Sequence, residues 1–143
     1  MTGVQTCALP ILTVLDRFRL DGRVALVTGG NRGLGYAIAQ ALAEAGAAVA
    51  IVSRTAADAQ KAAAALAQLT GRECRGFACD VTKPQEVQAL VDLVIADFGH
   101  VDILVNNAGL NVRGAIEDLT LDQFRSVQET NVTGPWLDRK SVV

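Results

Sequence analysis

The feature that most constrains this chain is a string of glycines lodged between two different hydrophobic periodicities. Arg23–Thr28 reads R-V-A-L-V-T, a short apolar run bounded by Asp21-Gly22 on one side and Gly29-Gly30 on the other. An uninterrupted β-rich run of that length predicts a strand buried on both faces. Thr28–Gly35 then reads T-G-G-N-R-G-L-G. Leu34–Ala45 follows, with Leu34, Ile38, Ala41, Leu42 and Ala45 on one helical stripe and Gly46 where a C-cap belongs. A strand that turns into a helix through glycines leaves the first N–H groups of the helix without partners. The positive end of the helix dipole lies at the same place, so the turn suits a pyrophosphate. The same glycines also fit a tight βα turn that binds nothing.

The alternation continues downstream. Ala48–Val52 predicts a second buried strand, and Ala56–Leu69 a helix with Thr55 and Asp58 at its first turn and Gly71 beyond its end. Glu73–Ala78 predicts a third strand. Thr82-Lys83-Pro84-Gln85 reads as a capping-box start, with proline in the first turn, for a helix to about Phe98. Val101–Asn106 predicts a fourth strand, and Thr120-Leu121-Asp122-Gln123 opens a last helix with another capping box. Helical connections of this length cross over, so neighbouring strands should be parallel and the crossovers right-handed. The fold class is α/β: a Rossmann-type, doubly wound parallel sheet that binds ligands beyond the C-terminal ends of its strands. The pattern stops after about four strands, which leaves the outer edge of the fourth unpaired.

Composition fits one soluble α/β domain: 143 residues, 50% hydrophobic and 20% charged. A net charge of −2 gives no reason to expect nucleic acid or an anionic membrane as partner. No apolar stretch approaches the roughly 20 residues a membrane helix needs. Cys7, Cys74 and Cys79 form no C-x-x-C pair, and His100 is the only histidine. No metal site or disulfide framework is expected, and the thiols fit a reducing cytoplasm.

The two ends do not continue the logic of their neighbours. Thr2–Ile11 (T-G-V-Q-T-C-A-L-P-I) and Asp138–Val143 (D-R-K-S-V-V) both resemble translated sequencing-library adapters. Residues 1–11 and 138–143 are therefore expected to be artefacts that flank a genuine stretch, 12–137.

The glycine loop and the second strand together indicate which dinucleotide fits. NAD-binding sheets place an acidic residue about 20 positions after the loop, where it holds the ribose 2′-OH. This chain has Ser53-Arg54 at the end of the second strand instead, and Arg32 inside the loop. A hydroxyl and two guanidiniums can hydrogen-bond a 2′-phosphate that an Asp would repel. The expected cofactor is NADP(H) in preference to NAD(H).

Four segments in order then carry a family likeness: Thr28–Gly35, Asp80-Val81, Asn106-Asn107-Ala108-Gly109, and Asn131 within N-V-T-G-P. The sequence resembles the short-chain dehydrogenase/reductase family over Leu20–Leu137. The resemblance implies that Gly29, Asn31, Arg32, Gly33, Leu34 and Gly35 cradle the diphosphate, with Ser53 and Arg54 at the phosphorylated ribose. Asp80 and Val81 would meet the adenine, though Asp80 also suits a cap before Thr82. Asn107, Ala108 and Gly109 would let backbone approach the ribose, and Asn106 would bond across the sheet. Asn131 is the one catalytic candidate; in the family it bends its helix and holds a water of the proton relay.

The rest of the family's chemistry is missing. It needs a Tyr as general acid/base, a Lys four residues on, and a Ser for the substrate oxygen. The one tyrosine, Tyr36, is followed four residues later by Gln40. The implied parent interconverts an alcohol and a ketone by hydride transfer, acts on a small molecule and forms a homo-oligomer; this chain itself is expected to be inactive. A non-catalytic dinucleotide-binding module is the alternative.

Overall fold

The computed structural model describes residues 13–142. The expected leading artefact, 1–11, lies outside the described residues, as does Val143.

Four strands form one parallel sheet: β1 (Val24–Thr28), β2 (Ala48–Ser53), β3 (Cys74–Ala78) and β4 (Ile103–Val105). Their order is β3-β2-β1-β4, with β1 paired to β2 and β4 and with β2 paired to β3. The order reverses at β1, between β2 and β4, and a doubly wound sheet opens its binding crevice at such a reversal. The continuous apolar runs explain the centre of the sheet. Every residue of β1 is buried, and so is β2 from Val49 onward. Burying each of these Val, Leu and Ile side chains contributes about 1.5–3 kcal/mol. β4 occupies the edge, and its residues are only half-buried.

Helices cover both faces. α1 (Gly33–Glu44) and α2 (Ala56–Thr70) enclose one core, in which Ala39, Ala43, Ala62, Ala63 and Leu66 meet Val27, Val49 and Ile51. α3 (Pro84–Phe98) encloses the other, where Val87, Leu90 and Val94 meet Leu26 and Val52. α4 (Leu121–Gln128), a π-turn (Glu129–Thr133) and α5 (Gly134–Val142) then run on without a break. α5 thus continues across the Leu137–Asp138 boundary expected from the sequence, and Leu137 packs into the second core.

Several local expectations need correction. The expected stripe on α1 is one residue out of phase: Gly35, Ala39 and Ala43 are buried, while Leu34 is 72% exposed. Small residues let this helix sit close to the sheet, and that contact outweighs the larger side chains in setting the inward face. The capping box expected before α3 does not form. Lys83 is the N-cap and Pro84 opens the helix, with no side-chain cap bond. The Thr82 hydroxyl instead donates to Asp80 Oδ1 at 2.7 Å. The box before α4 does form between Thr120 and Gln123. Gly71 ends α2 at φ +68°, in the left-handed conformation expected of a glycine cap.

Candidate functional site

A cavity of about 690 Å³ opens beyond the C-terminal ends of β1, β2 and β4, beside the mouth of α1. Every residue expected to touch a cofactor lines it: the loop residues Gly29 and Asn31 to Gly35, Ser53 and Arg54 after β2, Asp80 and Val81 after β3, and Asn107 to Gly109 after β4. The parallel topology brings these segments together, since each follows the same end of its strand.

The loop is held by close packing. A Cβ on Gly35 would stand 2.3 Å from the Gly29 carbonyl oxygen and 2.4 Å from Asn107 Nδ2, so only glycine fits. Gly33 has φ +56°, and a Cβ there would meet open space. Its glycine is required by backbone conformation rather than by crowding. Arg32 is an extended N-cap with no side-chain cap bond, so the first amides of α1 are left for a ligand. A cradle of free amides without crowding side chains fits a diphosphate.

The tie between loop and sheet runs through Thr28 and Asn107. The Thr28 hydroxyl donates to the Val105 carbonyl at 3.3 Å and accepts the N–H groups of Asn107 and Ala108, each at 3.2 Å. Asn107 Nδ2 donates to the carbonyls of Thr28 and Gly29 at 3.0 and 3.1 Å. The bond across the sheet expected of Asn106 therefore belongs to Asn107, because Asn106 faces outward and is exposed. Thr28 is buried and polar at the end of β1, and that signal could have marked it in the sequence.

The side chains expected at the ribose and adenine are also partly engaged by the protein. Ser53 Oγ donates to the Thr55 carbonyl at 2.7 Å and the residue is 8% exposed. Its proton is already used, whereas the guanidiniums of Arg32 and Arg54 are exposed on the cavity lining. Asp80 Oδ1 accepts the Thr82 N–H at 3.0 Å as well as the Thr82 hydroxyl, and the Asp80 N–H donates to Glu86 Oε2 at 2.8 Å. Asp80 is not the cap of α3, which is Lys83; its Oδ1 closes a local turn with Thr82 instead, while Oδ2 makes none of these bonds. The Thr82 amide, ahead of weaker contributions that include Arg54, holds the Asp80 carboxyl below its usual range, so it is an acceptor at neutral pH.

Asn131 lies outside this lining. Its Oδ1 accepts the Leu110 N–H and its Nδ2 donates to the Leu110 carbonyl, both at 2.8 Å. Both polar atoms of the side chain are used on backbone, and a π-turn runs through Asn131. Ser126, Glu129 and Thr130 also line the cavity, from α4 and the π-turn, and sequence reasoning missed them. Their i, i+3, i+4 spacing puts them on one helical face and was the available signal. Tyr36 sits half-buried on α1 with the first core. Among the described residues, no group of His, Cys, Asp or Glu is placed to hold a metal ion, and no helix is long and apolar enough to cross a membrane.

Comparison with known proteins accords with this geometry. The profile of the short chain dehydrogenase family matches residues 23–143. D-threitol dehydrogenase of Mycolicibacterium smegmatis is 48% identical over 126 residues, which cover 88% of this chain and 48% of that protein. A short chain dehydrogenase from Burkholderia cenocepacia, solved in complex with NADP, superposes with a TM-score of 0.80 at 42% identity, covering 87% of this chain and 51% of that one. An NAD+-bound xylitol dehydrogenase superposes with a TM-score of 0.81 at 39% identity, covering 85% and 47%. The chain spans about half the length of the relatives it matches. With its glycine cradle, its sheet order and these likenesses, the chain belongs to the short chain dehydrogenase family.

Proposed function

We propose that this chain is the cofactor-binding front half of an NADP(H)-dependent oxidoreductase that interconverts an alcohol and a ketone on a small molecule. The observation that carries the reading is the single cavity at the mouth of α1, in which the glycine cradle, Asp80 and the two rim arginines converge. When bound, the nicotinamide supplies the hydride chemistry. The residues of this chain bind and orient it. The α1 amides hold the diphosphate, Arg32 and Arg54 select the phosphorylated ribose, and Asp80 Oδ2 accepts from the adenine amino group. Asn107 to Gly109 border the nicotinamide ribose, and Asn131 fixes the loop that follows them.

The preference for NADP(H) rests on the guanidiniums and on the absence of an acidic residue at the end of β2. A solved relative with NADP supports it, and the NAD+-bound xylitol dehydrogenase stands as the competing precedent. The D-threitol and xylitol dehydrogenases favour a polyol or its ketose as the substrate class. In this reading 12–137 is the genuine stretch, 1–11 and 138–143 derive from adapters, and the parent is a cytoplasmic homo-oligomer. This chain lacks a Tyr-x-x-x-Lys, so we expect it to bind cofactor without turnover.

The test is to restore the gene beyond Leu137 and follow NADPH oxidation against a panel of ketoses and small ketones. Turnover with NADPH, slower with NADH, is the expected result. NADPH binding without turnover on any ketone would favour a non-catalytic module, and binding of neither cofactor would overturn the proposal.

A further inference from the structure

Asp80 is fixed at every polar atom but one. Its carbonyl accepts the Lys83 N–H at 3.0 Å and closes a turn over Asp80–Lys83. Its Oδ1 accepts the Thr82 N–H and the Thr82 hydroxyl, at 3.0 and 2.7 Å, which sets a side-chain turn inside the first. Its own N–H donates to Glu86 Oε2 at 2.8 Å. The residue before it is tied as well: the Cys79 N–H donates to the Ser53 carbonyl at 2.9 Å and anchors the segment to the end of β2. Oδ2 alone takes no part in these bonds.

Glu86 is used unusually for its place in the helix. It is the third residue of α3, from which a glutamate ordinarily closes a capping box on the N–H of the N-cap. That N–H belongs to Lys83 and is already given to the Asp80 carbonyl. Glu86 reaches further back instead, to the residue that opens the turn. The side chain is exposed, and water can take its place on the Asp80 N–H. A bond that water replaces contributes little net stability. Its effect is on direction, because it fixes the rotation of the Asp80 backbone and with it the line along which the carboxylate points.

We propose that Glu86 is a positioning residue for base recognition: from outside the cavity lining it aims Asp80 Oδ2 at the exocyclic amino group of an adenine. This role rests on the dinucleotide reading of the cavity and adds to it the residue that sets which base is accepted. An ionised carboxylate only accepts hydrogen bonds, so Oδ2 suits an amino group and repels a carbonyl oxygen. A carboxylate already held at its other oxygen and at its backbone loses little freedom when the base arrives, and its direction then discriminates. Asp80, Val81 and Thr82 line the cavity, whereas Glu86 does not, so Glu86 acts through Asp80. The Thr82 amide, the chief cause of the lowered Asp80 value, stays in place without Glu86. Loss of Glu86 therefore releases the direction of the carboxylate and leaves its charge.

Titration calorimetry on the full chain, with NADP+ and with its hypoxanthine analogue, tests this role. The analogue carries an oxygen where adenine carries the amino group. The unmodified chain should bind NADP+ on the order of tenfold more tightly, the scale of one hydrogen bond to a charged group. Glu86→Ala should cut that preference to about threefold or less, by weakening NADP+ and leaving the analogue unchanged. Glu86→Gln keeps an acceptor for the Asp80 N–H and should restore the preference. A preference that survives in Glu86→Ala would overturn the proposal, and so would one that Glu86→Gln fails to restore. Equal weakening of both ligands would also overturn it, since a general structural defect acts on both. Equal binding of the two ligands by the unmodified chain would remove this role and leave the dinucleotide reading standing; binding of neither would remove both.

Discussion

At the scale of single residues, the site depends on what is missing at Gly35. Its helix lies against the Gly29 carbonyl and the Asn107 amide so closely that no side chain fits between them. Gly35→Ala forces either the helix mouth or the Asn107 tie to move. We expect a loss of about 1–3 kcal/mol in stability, as for other overpacked positions, and a larger proportional loss of dinucleotide affinity. Thermal unfolding with and without NADP+ measures both; an unchanged midpoint and unchanged affinity would show that the loop is slack. The glycines could be read from the sequence because T-G-x-x-x-G-x-G sits between a strand and a helix. Which Asn of the pair ties the sheet could not be read, because the choice depends on which side of the last β4 residues faces β1. Ser53 misled for a related reason. A hydroxyl at the end of β2 looks available to a ligand, yet the chain's own turn at Thr55 takes its proton.

At the scale of elements, strands and helices were legible wherever apolar periodicity and turn residues agreed, as for β1, β2 and α2. The stripe on α1 was misplaced because a count of large apolar side chains ignores how closely glycine and alanine let a helix approach a sheet. The continuity of α4, π-turn and α5 through Gly134-Pro135 could not be read either. A polar residue ahead of Gly-Pro reads as a helix end, but here Asn131 satisfies a separate loop while the helix widens by one residue around it. The two bonds from Asn131 to Leu110 make the π-turn a clamp rather than a break. Asn131→Ala should cost about 1 kcal/mol and speed amide exchange in the loop after β4, at residues 107–111, without altering β1. Exchange unchanged in that loop would assign the clamp elsewhere.

For the molecule as a whole, two sets of carboxylates act in opposite pH windows. Asp102 accepts the Val24 N–H at 2.8 Å and a bond from Arg23 at 2.9 Å, and chiefly the Val24 bond holds its carboxyl below the usual value. Its contribution is present above the unfolded value and is lost as acid titrates it through the folded one. Asp138, which belongs to the segment read as adapter-derived, behaves in the reverse sense in this chain: raised by burial to about 6, it weakens the fold as pH climbs from about 4 to about 6. The unfolding midpoint should therefore peak between those values, with the falling limb on the alkaline side flattened in Asp138→Asn. A midpoint that rises steadily to neutrality would contradict this assignment. The central claim, however, concerns the cavity, and it can be tested on this chain without the rest of its parent. Isothermal titration with adenosine 2′,5′-bisphosphate, NADP+ and 5′-ADP probes only groups that the chain contains. We predict one site for NADP+ and for the 2′,5′-bisphosphate, with 5′-ADP weaker and the advantage of the 2′-phosphate abolished in Arg32→Ala/Arg54→Ala. Absence of binding by all three would contradict the account at its root.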